Sequence, residues 1–308
     1  MLSKVPGDLE NAMSVFSLAQ ALDIKLPSVE ILDVGAMDEG EDRYDVLRSM
    51  GLANITGIEP DEEQFAKLQN AENGNYLPYF LGTGDKQTFH LTRYPGCSSL
   101  YSPDSRVIDP FTSIGTSENG NFRVVNTMPV QTHRLDDITQ CPSPDYVKLD
   151  VQGGELDILR HGMDKLKNAL VIESEVEFVA LYENQPLFGD MQVFLREHGF
   201  CLHKFVDIAG RSFKPFARDN NRYAATSQVL WADAIFIKDF KGFDSYSDEQ
   251  LLKSALILHQ LYYSYDLVHL ILRHYDSRLG TVLSEKYLHA LQASADLPSL
   301  YMNLKEHI

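Results

Sequence analysis

The chain has 308 residues, 44% of them hydrophobic and 23% charged, and a formal net charge of −17. That size and balance fit one large soluble domain, or one domain with an appendage. So acidic a surface repels phosphate backbones, which argues against a nucleic-acid partner.

The N-terminus carries Lys4 but then Asp8 and Glu10, with no long apolar core, so it does not read as a secretory signal. From Asp8 to about Leu22, apolar Leu9, Met13, Phe16 and Ala19 or Leu22 recur at helical spacing, and Pro27 stops the run. Ile31 to Val34 is a short apolar strand that ends at Gly35, as buried parallel strands do. A helix is expected after Gly40, ended by Gly51. A second strand, Ile55 to Ile58, runs into Glu59, Pro60 and Asp61, and Asp61 suits the N-cap of a following helix. Tyr76 to Leu81 reads as the third strand, Gly82 to Asp85 as its exit loop, and Gln87 to Thr92 as an extended segment.

From Arg93 to about Asn121 periodicity is lost, and irregular stretches that long are usually binding loops or lids. Phe122 to His133 is extended again and rich in β-branched residues. Asp145 to Val151 is the fourth strand of a parallel sheet, turned by Gly153 and Gly154 into a helix over Glu155 to Leu166. Ala169 to Glu175 is the fifth strand, and Met191 to His198 a helix ended by Gly199. Cys201 to Val206 and Ala234 to Ile237 read as an antiparallel pair at one edge. Between them Arg211, Lys214, Arg218 and Arg222 make the most basic loop of an acidic chain, expected to recognise an acidic acceptor such as a uronic or sialic sugar. From Ser247 onward the pattern is helical. Ser254 to Leu272 is the most apolar part, but His259, Gln260, Asp266 and His269 would be costly in a bilayer. A buried or dimerising helix pair is expected there, with no membrane span. The cysteines Cys97, Cys141 and Cys201 are far apart and odd in number, with no CxxC spacing. They read as reduced thiols of a cytoplasmic protein.

The alternation of strands and helices predicts an α/β fold with a mostly parallel sheet. Residues 1–30 would form a helical cover, 31–240 a nucleoside-binding domain and 241–308 an all-α appendage. The Gly35 turn lets the chain pass close to a ligand, because glycine has no Cβ. Glu59 follows it at close to the ~20-residue offset that puts a carboxylate on a ribose. The G-x-G-x-x-G of dinucleotide folds is missing, since Met37 stands where the second glycine belongs. Asp38 and Glu39 put negative charge where a pyrophosphate would sit. They suit a cationic or zwitterionic ligand such as S-adenosylmethionine, with its sulfonium, amino-acid tail and ribose.

Strand alternation puts Lys148 with Asp150 on one face of the fourth strand, and in the same way Glu173 with Glu175 on one face of the fifth. Ligands of such sheets bind beyond the carboxyl ends of the strands, where Asp150, Glu173 and Glu175 should converge. A lysine–carboxylate pair would offset the cost of burying Lys148.

These pieces together resemble the FkbM-type family of S-adenosylmethionine-dependent methyltransferases. The matching stretches are Leu32–Ala36 with Gly40, Gly57–Pro60, Ser98–Leu100, Arg134–Asp137, Val147–Glu155 with Leu159–Arg160, and Val171–Glu173. The likeness spans about Ile31 to Phe205. It implies the class I methyltransferase fold, Rossmann-like, and O-methylation of hydroxyls on sugars or polyketides. By that resemblance Asp33, Gly35 and Ala36, with Gly40, would hold the amino-acid end of the cofactor. Glu59 and Pro60 would bind the ribose. Gly82, Thr83 and Asp85 would border the adenine, with Ser99 also at the cofactor, and Asp150 would lie near the transferable methyl.

Two departures stand out. Met37, Asp38 and Glu39 replace a common Asn, and Gln152 stands where many members have Glu, so no catalytic role is expected of Gln152. The general base is expected to be Asp150, with Glu175 and His133 behind it. Asp150 with Glu173 or Glu175 could instead hold a divalent cation that acidifies the hydroxyl. The acceptor would be a small molecule or glycan, and the C-terminal helices would support a homodimer. Two other classes stay open: a dinucleotide-dependent oxidoreductase and a non-catalytic binding module.

Overall fold

The computed structural model describes residues 16–37, 40, 42–70 and 74–293. The chain divides into two compact units. Of the described residues, one comprises those within 30–40 and 54–238, and the other those within 16–29, 42–53 and 239–293.

In chain order the elements begin with α1 (Leu18–Leu22), β1 (Val29–Val34), α2 (Asp45–Ser49), β2 (Ala53–Ile58), α3 (Glu62–Asn70) and β3 (Asn75–Leu77). The next are β4 (Phe80–Leu81), β5 (Lys86–Thr92), α4 (Ser105–Ile108), β6 (Val124–His133), β7 (Tyr146–Leu149), α5 (Glu155–Arg160) and α6 (Met163–Leu166). The last are β8 (Val171–Glu177), α7 (Phe188–Glu197), β9 (Phe200–Gly210), β10 (Val229–Lys238), α8 (Asp248–Gln260), α9 (Tyr265–Leu279) and α10 (Leu283–Ala293).

The first unit is built on a seven-stranded sheet of order β3-β2-β1-β7-β8-β10-β9. β2 pairs with β3, β1 with β7 and β7 with β8 in parallel, and β10 runs antiparallel to both β8 and β9. The expected antiparallel pair is therefore present at one edge of the sheet, with β9 outermost. Central strands are apolar because both faces are covered: Leu32, Val34, Val147, Leu149, Ile172 and Val176 are all buried in one cluster.

The third strand is shorter than the run from Tyr76 to Leu81 suggests. Pro78 has no N–H to give to a ladder. β3 stops at Leu77, and β4 pairs instead with β6 in a second, three-stranded sheet of order β4-β6-β5. The helix after β7 is likewise in two pieces. Gly162 separates α5 from α6, and a side chain there would press on Leu135 and on the Ile158 carbonyl. The irregular stretch after Thr92 folds onto its own apolar cluster of Cys97, Ile108, Phe111, Ile114, Phe122, Leu181 and Tyr182.

In the second unit α8 is central, with Leu251, Leu252 and every residue from Ser254 to Gln260 buried. Ser247 caps it, its side chain accepting from the Gln250 amide. Burial on all sides explains the membrane-like composition. The polar residues within it are satisfied locally. His259 meets the Tyr287 hydroxyl at 2.9 Å and the Phe16 carbonyl at 2.9 Å, and burial pushes it down to about 4, so it stays neutral. Only Phe16–Leu22 of the expected leading helix is described; residues 8–15 lie outside the described residues. Among the described residues no helix is long and apolar enough to cross a membrane, and all three cysteines are free thiols.

Candidate functional site

The carboxyl ends of the central strands are knit together by backbone bonds. Gly35 donates to the Ile58 carbonyl at 3.0 Å, Asp150 to the Val34 carbonyl at 3.0 Å, and Glu59 to the Leu77 carbonyl at 3.1 Å. Gly35 has φ +84°, and a Cβ there would overlap the carbonyl oxygen of Asp150. Only glycine lets β1 turn this close to the end of β7. The neighbouring Ala36 is buried, and Gly40 follows with φ +126°. Asp38 and Glu39, on which the argument against a pyrophosphate rests, lie outside the described residues.

Glu59 ends β2 and is only 4% exposed. Its Oε1 accepts from the Asp61 amide at 2.7 Å, across Pro60, and its second oxygen has no partner among the described residues. Burial, then the charges of Asp61 and Asp33, push its acidity from 4.5 up to about 7, against the Asp61 hydrogen bond. Asp61 itself caps α3, accepting from the Glu63 and Gln64 amides. A buried carboxylate with an oxygen left over is a natural partner for a vicinal diol, which brings two donors.

Asp33, Lys148 and Glu173 are register neighbours on three adjacent strands. Lys148 Nζ lies 3.4 Å from Asp33 Oδ1, and Asp33 is 1% exposed. Glu173 accepts a hydrogen bond from the Tyr146 hydroxyl at 2.8 Å. Glu173 thus belongs to a buried ion row within the sheet, one layer below the strand ends.

The other carboxylates do meet. Asp150, Glu155 and Glu175 each bring an oxygen within 4.8 Å of the others. Gln152 joins two of them: its Nε2 donates to Asp150 Oδ1 at 3.0 Å and to Glu175 Oε2 at 2.7 Å. Its Oε1 accepts from the Tyr182 hydroxyl at 3.2 Å, and its backbone carbonyl accepts from Ser99 Oγ at 2.7 Å. Gln152 reaches this position with φ +60°, a conformation that costs a non-glycine residue about 1–2 kcal/mol. Glu155, at the start of α5, accepts from the Val151 and Gly153 amides. Burial pushes Glu155 up to about 7, and holds Glu175 and Glu177 well above the carboxylate range. Charge from Asp150 adds to the rise in all three. A cation would have to displace the Gln152 amide from between Asp150 and Glu175.

The remaining expected residues fall elsewhere. Ser99 is buried, and its hydroxyl is committed to Gln152 and to the Tyr101 amide. The Gly82–Asp85 turn is stitched to β6: Gly82 donates to the His133 carbonyl, Gly84 to Thr132 Oγ1, and Thr83 Oγ1 to Asp85 Oδ2. His133 packs edge-on against Tyr79 with centroids 4.8 Å apart, and none of its described contacts reaches Asp150 or Glu175. Sequence reasoning missed Gln152, Glu155 and Tyr182. Glu155 had a signal, an acid at the first turn of a helix after two glycines. Tyr182 had none.

A mostly parallel sheet with one antiparallel strand inserted next to the edge, its glycine turn and a buried acid at the carboxyl ends of β1 and β2, is the class I methyltransferase fold. Residues 33–202 match the methyltransferase FkbM domain. The chain belongs to that family, and so to the S-adenosylmethionine-dependent methyltransferases. The 2-O-methyltransferase NoeI of Sinorhizobium fredii (strain NBRC 101917 / NGR234) is 27% identical over 172 residues, 53% of this chain and 69% of that protein. Solved structures that match include precorrin-6y C5,15-methyltransferase from Geobacter metallireducens GS-15, at 13% identity and TM-score 0.35, over 77% of this chain and 98% of that one. Another is M. jannaschii TYW2 in complex with AdoMet, at 14% identity and TM-score 0.29, over 72% and 74%.

Proposed function

We propose that the protein transfers a methyl group from S-adenosylmethionine to a hydroxyl of a small sugar-type acceptor, a glycan or a polyketide. The observation that carries this reading is the pair of features at the strand ends: the buried Glu59, with one oxygen unpartnered among the described residues, and the Asp150–Gln152–Glu175 group. The 2-O-methyltransferase activity in the name of the relative NoeI supports a hydroxyl acceptor.

In this reading the backbone at Gly35 and Ala36, with Gly40, meets the amino-acid end of the cofactor. Asp33, held by Lys148, fixes the turn from beneath. Glu59 accepts from the ribose hydroxyls, with Pro60 shaping the turn beside it. Gly82, Thr83 and Asp85 border the adenine, and Ser99 acts through the Gln152 backbone. When bound, S-adenosylmethionine supplies an electrophilic methyl on a sulfonium.

Asp150 would take the proton of the acceptor hydroxyl when the methyl is transferred. Its Oδ1 is tied to Gln152, which leaves Oδ2 free among the described residues. Glu175, joined to Asp150 through the Gln152 amide, is the second candidate, and His133 the third. A divalent cation on Asp150 and Glu175, with Glu155 in the place expected for Glu173, is the alternative way to acidify the hydroxyl. Chelator treatment separates the two: it leaves turnover unchanged in the first case and abolishes it in the second. A homodimer through the C-terminal helices and a cytoplasmic location complete the reading, the former checked by sedimentation equilibrium. The test of the whole is release of S-adenosylhomocysteine across a panel of sugar nucleotides, lipid-linked sugars and polyketides. Turnover on none of them, with binding of the cofactor intact, would favour a non-catalytic module. Binding of NADH in its place would favour an oxidoreductase.

A further inference from the structure

β9 and β10 pair up to Gly210 and Val229, and residues 211–228 form the loop beyond. That loop carries Arg211, Lys214, Arg218 and Arg222 against the single acid Asp219. Arg211 is not part of its surface. It is 4% exposed, with its guanidinium 4.8 Å from the Trp231 ring. It closes the base of the loop by donating to the Tyr223 carbonyl, as Ser212 Oγ does to the Ala224 carbonyl at 2.9 Å.

The loop is also fixed from the side. Lys214 Nζ donates to the Asp109 carbonyl at 2.6 Å, Arg222 Nε to Ser113 Oγ at 2.9 Å, and Phe213 stacks on Phe111 at 4.5 Å. What this platform turns outward is aromatic and cationic together. Phe216 is 68% exposed, Phe213 45% and Tyr223 42%, and Ile208 on the adjoining end of β9 is 51% exposed. Lys214, Arg218 and Arg222 are exposed among them.

We infer that the 213–223 loop docks the protein on an anionic lipid surface. Aromatic rings favour the boundary between headgroups and acyl chains, and cations beside them meet anionic headgroups. Charge complementarity is local. The acids that make the chain net negative are screened beyond about 8 Å at physiological salt, while the loop cations would lie against the headgroups. A lipid surface would use both the cations and the apolar face of Phe216, which is 68% exposed and joins no ring pair among the described residues.

The test is flotation of the full chain with phosphatidylcholine vesicles, with and without phosphatidylserine. Binding is expected only with phosphatidylserine, and it should weaken as salt is added. Arg218→Gln should lower partitioning about fivefold, and Phe216→Ser should lower it as well. Lys67→Gln, a control on α3, should not change it. The substituted side chains are exposed, so equal unfolding midpoints will confirm that the variants fold. The inference is overturned if the chain fails to float with anionic vesicles at low salt, or if both loop variants bind as the wild type does. Loss of affinity for a uronate-bearing sugar in Arg218→Gln, without vesicle binding, would also overturn it and assign the loop to an acidic acceptor.

Discussion

Replacing Glu59 with glutamine is expected to stabilise the ligand-free protein while weakening its hold on the cofactor. Glu59 is buried, and its folded-state acidity is raised from 4.5 to about 7. Below the lower value the carboxyl is protonated in both folded and unfolded chains and pH has no effect through it. Between the two values the folded state holds the proton more tightly, so stability falls as pH rises and levels off above about 7. At about 1.4 kcal/mol per pH unit the full loss is roughly 3 kcal/mol. A glutamine keeps an oxygen for the Asp61 amide and carries no charge, so Glu59→Gln should recover much of that loss at alkaline pH and nothing in acid.

The cofactor reverses the sign. Hydroxyl donors favour the ionised carboxylate, and each such bond contributes about 1.5–3 kcal/mol, so Glu59→Gln should weaken binding by about tenfold to a hundredfold. Wild-type affinity should climb with pH through about 7 and then flatten, and the variant should show no such climb. Denaturant unfolding at acid and alkaline pH, paired with calorimetric titration of S-adenosylhomocysteine, reads both effects. A variant with unchanged stability and unchanged affinity would refute the placement of Glu59 at the ligand.

Three further substitutions probe the rest of the site. Asp150→Asn should lower turnover by about a hundredfold or more in an S-adenosylhomocysteine release assay, while the cofactor dissociation constant stays put. Gln152→Leu removes the donor shared by Asp150 and Glu175, so it should move the acid limb of the pH–rate profile upward by about one unit; a profile that falls in height without shifting would assign Gln152 a purely structural part. Lys148→Met takes the cation from the buried row of Asp33 and Glu173 and should cost about 3–5 kcal/mol, measured by urea unfolding.

The strands β1 and β2 were legible because buried parallel strands write continuous apolar runs, and the glycine turn and the buried acid at their ends are ones that local chemistry explains. The mostly parallel character of the sheet followed from the same runs, whereas its strand order appeared only in the structure. What could not be read depended on long-range packing or on single backbone angles. Pro78 divides a run that looks like one strand, and Gly162 divides one that looks like one helix. Gln152 looked like a departure to be discounted. Its left-handed backbone and its reach to Asp150, Glu175 and Tyr182 exist only after residues 99, 152, 175 and 182 have been brought together. The cluster around Phe111 joins a stretch without periodicity to Leu181, Tyr182 and Leu230 from distant parts of the chain, so no spacing could announce it. Arg211 counted as surface charge until its burial against Trp231 was seen.

The most direct test of the account is thermal unfolding of the full chain with S-adenosylmethionine, and in parallel with NADH. At a ligand concentration one hundredfold above the dissociation constant, binding adds about 2.7 kcal/mol. The account predicts a midpoint that rises by several degrees with S-adenosylmethionine and does not move with NADH. No shift with S-adenosylmethionine, or an equal shift with NADH, would contradict it.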